Sequence, residues 1–254
     1  MLSHRLTGAG PAVVLLHAVG LDGTFWGVLP ERLAAFRTVV AVDLLGHGGS
    51  PDAPRPGRMA AQVDSVAALV ERLGLGRPTV LGLSFGGMVA QQLALARPDL
   101  VGALVLAATP GRIAPEAREA ILKRGADAEA DGMDAVVAAT LERWFTPAFR
   151  ASEPALRVAG RLRADHPSNW AAAWEAVAEH DALDRLSAVA VPALVVAGED
   201  DAATPLAAEE ALANALSARL AVVPAAPHML QIERADEFAE IVAGFVADTG
   251  GIDR

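Results

Sequence analysis

The stretch Thr79-Val80-Leu81-Gly82-Leu83-Ser84-Phe85-Gly86-Gly87-Met88-Val89-Ala90 decides how the chain is read. Residues 79–81 are an apolar run that suits a strand, and residues 88–97 space their apolar side chains as a helix does and stop before Pro98. One serine sits between them, with Gly82 two places before it and Gly86 two places after. A Gly-x-Ser-x-Gly turn between strand and helix presents a hydroxyl at the tip of a sharp bend, and the glycines let the chain pass itself there. The bland alternative is a glycine-rich turn with no chemistry. A lone pentapeptide does not separate the two, so the flanking sequence must.

Working outward, short apolar runs recur at residues 13–16, 39–42, 103–106, 193–196 and 220–223. They are apolar on both faces, as strands of a parallel sheet covered on each side by helices must be. Helical spacing appears at 59–73, 209–216 and 236–246, and this alternation predicts a doubly wound or related open α/β sheet. Before residue 12 only about residues 2–7 are free to form a strand, so the first hairpin of such a sheet is expected to be incomplete. From about 112 to 185 no strand is evident; helix-like segments at 132–144, 153–163 and 168–178 predict an all-helical cap inserted between two sheet strands. The expected division is a core of residues 1–111 and 186–254 with a cap of 112–185.

Composition removes several classes of function. The chain has 254 residues, 53% of them apolar, which is ample for one large buried core. A formal charge of −10 argues against a general nucleic-acid binder, and no apolar run approaches the roughly 20 residues of a membrane span. The absence of cysteine excludes disulfides and thiolate chemistry, and Lys123 is the sole lysine on which a Schiff base could form. Residues 1–11 show no secretory leader, so a cytoplasmic protein is expected. No histidine pair has the spacing of a zinc site, and neither metal nor cofactor is expected.

A serine hydroxyl needs a general base, and the base benefits from an orienting acid. After the run at 193–196 comes Gly198-Glu199-Asp200-Asp201-Ala202-Ala203-Thr204-Pro205, and after that at 220–223 comes Pro224-Ala225-Ala226-Pro227-His228-Met229. Serine, acid and histidine thus follow in the order of a strand-end triad. With these loops the chain resembles the α/β-hydrolase superfamily, whose acid loop reads G-x-x-D-x-x-T/V-P. The resemblance implies that fold, a mostly parallel sheet flanked by helices under a helical cap, and it implies Ser84, Asp201 and His228 as catalytic residues. Asp200 is a close second, since a one-residue adjustment of the loop exchanges the two acids. Glu233 matches the acidic residue that often follows the histidine, and Pro227 stands where glycine is common. His17-Ala18-Val19-Gly20 matches the family's H-G-x-G loop, with Ala18 a departure; by resemblance the backbone amides of Val19 and Phe85 form an oxyanion hole, and His17 is structural. Asp43-Leu44-Leu45-Gly46-His47-Gly48-Gly49-Ser50 resembles a structural loop of the family, which leaves His47 outside the chemistry. His4 and His166 are expected in exposed segments and His180 in the cap.

Ser84 in place of an elbow aspartate, and the lack of any tyrosine, argue against dehalogenase and epoxide hydrolase relatives. Leu21-Asp22-Gly23-Thr24-Phe25-Trp26, Arg143-Trp144-Phe145-Thr146-Pro147 and the cap end at His180-Asp181 look like 3-oxoadipate enol-lactonases, which open a small carboxylated lactone. The arginine-rich segment 142–163 could supply the positive field an anionic small molecule would need. Trp26, Trp144, Arg143, Arg161 and Met229 are the candidate substrate-binding residues. Amide hydrolysis of acylaminomethylene-succinates, general carboxylesterase, carbon–carbon hydrolase and perhydrolase activities stay open as alternatives, as does a non-catalytic ligand receptor on the same fold.

Overall fold

In the computed structural model, which describes residues 1–249, every apolar run named above is a strand of one seven-stranded sheet ordered β1-β3-β2-β4-β5-β6-β7. The strands are β1 (His4–Thr7), β2 (Ala12–Leu16), β3 (Thr38–Val42), β4 (Thr79–Leu83), β5 (Ala103–Ala107), β6 (Ala193–Gly198) and β7 (Arg219–Val223). All pairings are parallel except that of β1, which runs antiparallel along the outer edge of β3 with His4 opposite Val42. The N-terminal segment therefore contributes a single edge strand and forms no hairpin with β2. Residues 13–16 and 103–107 are wholly buried, as strands covered on both faces should be. β7 departs from that expectation: it is the other edge, and Val222 is 40% exposed.

The covering helices are α1 (Leu29–Ala34), α2 (Met59–Arg72), α3 (Phe85–Ala96), α8 (Leu206–Leu216) and α10 (Ala235–Thr249), with the short α9 (Leu230–Glu233) leading into the last. α3 begins at Phe85, three residues earlier than its apolar spacing indicates, because the bend is confined to Ser84 and the glycines that follow are already helical. Between β5 and β6 the chain forms α4 (Arg118–Asp131), α5 (Asp134–Trp144), α6 (Glu153–Arg163) and α7 (Pro167–Ala178). The ends of this helical insertion are tied by a bridge between Arg112 and Asp181, with Ile113 N–H donating to His180 O at 2.9 Å and Ala182 N–H to Gly111 O at 2.9 Å. α4 had no counterpart in the apolar periodicity. It packs along α7, where Gly125 is needed: a Cβ there would lie 2.8 Å from the Ala171 backbone.

Because the strands are parallel, β2, β4, β5, β6 and β7 all end at the same edge of the sheet, the edge at which open α/β sheets bind ligands. Among the described residues no helix is long and apolar enough to cross a membrane.

Candidate active site

Ser84 follows β4 directly and adopts φ 52° and ψ −114°, a conformation that L-residues avoid and that costs roughly 1–3 kcal/mol. The surroundings hold it there. Ser84 N–H donates to Ala107 O at 2.8 Å, and the Thr109 hydroxyl donates to Ser84 O at 2.8 Å. A Cβ at Gly86 would lie 1.9 Å from Leu16 O, and one at Gly82 would lie 2.2 Å from Gly86 O, so only glycine lets the three chain segments meet. The pentapeptide is thus a tight elbow wedged between the ends of β2 and β5.

His228, on the loop after β7, reaches Ser84 from the side. Its Nδ1 lies 2.8 Å from Asp201 Oδ2, and its Nε2 lies 3.0 Å from Ser84 Oγ. Asp201 Oδ1 accepts the amides of Ala203 at 2.7 Å and Thr204 at 2.8 Å. With one oxygen occupied by amides, the other is left to take the Nδ1–H of His228, which leaves Nε2 as the acceptor facing the serine. Asp200 is exposed and its side chain takes no part. The segment around His228 is also fastened to the cap: Met229 N–H donates to Trp144 O at 3.1 Å, and Glu233 accepts both the amide and the hydroxyl of Thr146.

Val19 and Phe85 border the same space as Ser84 and His228. Neither amide donates a hydrogen bond among the described residues. The loop carrying Val19 is braced by His17, whose Nε2 accepts the Leu44 amide at 3.0 Å and whose Nδ1–H donates to Ala18 O at 2.7 Å. Burial pulls His17 down to about 4 and His47 well below the usual histidine range, so both are neutral rings, packed edge-on at 5.0 Å.

Above these groups lies a cavity of about 370 Å³ roofed by the helical insertion. Of the substrate-binding candidates, Trp144 lines it; Trp26, Arg143, Arg161 and Met229 do not. Trp26 and Met229 are buried in the apolar core. Arg161 is consumed by two acids, Asp22 Oδ2 at 2.9 Å and Asp165 Oδ1 at 2.7 Å, and its role is to pin α6 to the loop after β2. Arg143 is half-buried in the last turn of α5, one residue before Trp144. Arg157 and Arg163 pair with Glu153 and Asp134 at the surface, and Arg150 donates to the carbonyls of Phe145 and Glu142. His180 is fully buried, with Nε2 3.3 Å from Gln91 Oε1, and burial lowers it to about 4.

Three ionisable residues near the site were not singled out by the sequence, the first being Arg112, which lines the cavity and pairs with Asp181 and Asp184. Arg124 of α4 lines the cavity with its guanidinium 4.6 Å over the Trp174 ring. Glu209 of α8 is fully buried near Asp201, and neither carboxyl oxygen has a hydrogen-bond partner of good geometry. Burial, reinforced by the Asp201 charge and offset in part by the Thr109 and Ala108 amides, raises Glu209 from 4.5 to about 9. Its folded form therefore holds a proton that the unfolded chain releases above pH 4.5. Stability from this group is complete below that pH, falls as pH rises, and reaches its minimum above about 9. At pH 7 the penalty is about 3 kcal/mol. Glu209→Gln should remove it, so its advantage over wild type in thermal unfolding should be small at pH 5 and grow steadily to pH 8. Parallel stability curves across that range would show that Glu209 does not titrate as described. In sequence, Glu209 looks like any first-turn helix acid, and only the tertiary fold buries it.

Comparison with known proteins agrees with the geometry. The chain is 33% identical over 246 residues to pimeloyl-[acyl-carrier protein] methyl ester esterase of Chromobacterium violaceum, covering 93% of this chain and 94% of the relative. It is 27% identical over 241 residues to 3-oxoadipate enol-lactonase 2 of Acinetobacter baylyi, covering 91% and 87%. The crystal structure of the enol-lactonase from Burkholderia xenovorans LB400 superposes with a TM-score of 0.92 at 30% identity, covering 97% of this chain and 96% of that one. Residues 13–241 match the model of the alpha/beta hydrolase family, and the chain, with its seven-stranded sheet and strand-end site, belongs to that family.

Proposed function

We propose that the protein is a serine hydrolase that opens a small carboxylated lactone or ester through an acyl-enzyme, with 3-oxoadipate enol-lactone as the favoured substrate. The observation that carries this reading is the continuous chain from Asp201 Oδ2 through His228 to Ser84 Oγ, at 2.8 and 3.0 Å, at the floor of the cavity. His228 Nε2 takes the hydroxyl proton as Ser84 Oγ bonds to the carbonyl carbon, and Asp201 stabilises the imidazolium that results. The free amides of Val19 and Phe85 serve as donors to the oxyanion, each contributing roughly 2.7–4 kcal/mol to the transition state. As the tetrahedral intermediate collapses, the carbon–oxygen bond to the leaving group breaks and His228 returns its proton to that oxygen. In a lactone the leaving oxygen stays tethered to the acyl chain. Water then gives a proton to His228 as its oxygen bonds to the acyl carbon, the bond from that carbon to Ser84 Oγ breaks as His228 returns the proton to Oγ, and the free acid leaves.

The names of the Acinetobacter and Burkholderia relatives support the lactone. The Chromobacterium relative supports simple ester hydrolysis as the second reading. Purified protein assayed against the enol-lactone, an acylaminomethylene-succinate, p-nitrophenyl acetate and a peroxide-dependent substrate should favour the lactone in kcat/KM. An inert lactone beside rapid turnover of another member of that panel would overturn the assignment.

A further inference from the structure

The wall of the cavity opposes the charge of the molecule. The chain carries −10, yet among the described residues no aspartate or glutamate lines this space, and the charged lining residues are Arg112 and Arg124. Arg112 is neutralised by Asp181 at 2.9 Å and by Asp184. Arg124 is not: among the described residues it has no carboxylate partner and its guanidinium donates no hydrogen bond, so that burial and the Arg143 charge are what act on it. Arg143, which lies outside the lining but near enough for its charge to act on Arg124, also lacks a carboxylate partner among the described residues and makes one long hydrogen bond, to the Thr140 hydroxyl at 3.4 Å.

Other partly buried arginines show how unusual this is. Arg161 holds two acids, and Arg37 donates to the carbonyls of Phe36 and Val246. Withdrawing a guanidinium from water without a counter-ion is unfavourable unless something supplies one. Burial, with the neighbouring Arg143 charge adding to it, brings Arg124 down to about 10, which still leaves it cationic at neutral pH.

The position is also rigid. The Trp170 indole N–H donates to Arg124 O at 3.0 Å, Gly125 brings α4 against α7, and the Trp174 ring supports the guanidinium face. Stacking leaves the edge donors of the guanidinium free, and these are the donors that fit a carboxylate. Ile113, Ile121 and Val177 supply an apolar wall alongside.

We propose that Arg124 is the specificity-determining residue of this site and binds a free carboxylate carried by the substrate, with Arg143 strengthening the local positive field. The substrate class is thereby a short-chain acyl compound bearing a second, ionised carboxyl group. This rests on reading the cavity above Ser84 as the substrate site.

Two measurements test it separately from the chemistry. In the first, glutarate is titrated into Ser84→Ala protein by calorimetry, with and without Arg124→Met or Arg124→Lys. Arg124→Met should weaken glutarate binding about 10- to 100-fold, as loss of a charged hydrogen-bond pair does, and Arg124→Lys should recover part of it. Failure of the Ser84→Ala protein to bind glutarate, or equal binding by Arg124→Met, would overturn the proposal. In the second, the active protein is given mono-(p-nitrophenyl) glutarate and p-nitrophenyl pentanoate. The ratio of kcat/KM for the charged over the neutral ester should fall about 10- to 100-fold in Arg124→Met, mainly through KM. An equal loss on both esters would mean that Arg124 only supports the fold. Turnover of neither ester by wild type, with Arg124-dependent glutarate binding intact, would instead refute the hydrolase reading and retain the carboxylate site.

Discussion

Ser84→Ala should lower kcat by about 10⁶-fold on whichever ester or lactone the wild type turns over fastest, because the residues of a serine–histidine relay act as a unit. The same substitution should abolish labelling by a fluorophosphonate, which requires the activated oxygen. The fold should survive: alanine at this position meets the same φ of 52° as serine, and the hydrogen bonds that hold the turn come from backbone atoms of Ser84 and from Thr109. Thermal unfolding of the variant should therefore match wild type while activity vanishes. Labelling of wild type that persists in Ser84→Ala would place the nucleophile elsewhere. An intact fold without labelling of wild type would favour a ligand-binding protein that retains the geometry of the family.

Asp201→Asn should lower kcat by about 10⁴-fold, and Asp200→Asn should change it less than about threefold. The difference follows from the hydrogen bonds. One oxygen of Asp201 accepts the amides of Ala203 and Thr204, so an asparagine would leave its carbonyl there and turn its NH₂ toward His228 Nδ1. That nitrogen would then have to be the acceptor, the proton would move to Nε2, and the ring would face Ser84 as a donor unable to take its hydrogen. Asp200 is exposed and, among the described residues, its side chain makes no hydrogen bond to the ring, so its charge acts only at a distance. A larger loss at Asp200 than at Asp201 would mean that the loop rearranges when the enzyme works.

Much of the architecture was legible because its signals are local. Apolar runs of three or four residues mark the strands, buried on both faces except at the β7 edge, and each run corresponds to a strand. The glycines about Ser84, and the loops after β6 and β7, could be placed from spacing and family resemblance alone. α4 was hidden for a physical reason. Few of its residues are buried, chiefly Ile121, Gly125 and Ala128, so no apolar stripe reveals it, and its packing depends on contact with α7. The early start of α3 was missed because two glycines look like a turn even when a helix runs through them.

The sequence by itself determined the alternation of strands and helices, the helical insertion, and the order of serine, acid and histidine along the chain. These depend on neighbours within a few residues, whose propensities and spacing a sequence displays directly. Tertiary structure decided which of two adjacent aspartates meets His228, since that turns on amides of the loop and on a histidine 27 residues away. It also decided which arginine faces the cavity. Arg161 meets Asp22 across 139 residues of chain and is neutralised, while Arg124 meets the Trp174 ring and, among the described residues, no carboxylate. A charge is available to a ligand only when nothing nearer claims it, and proximity of that kind exists only once the chain is folded.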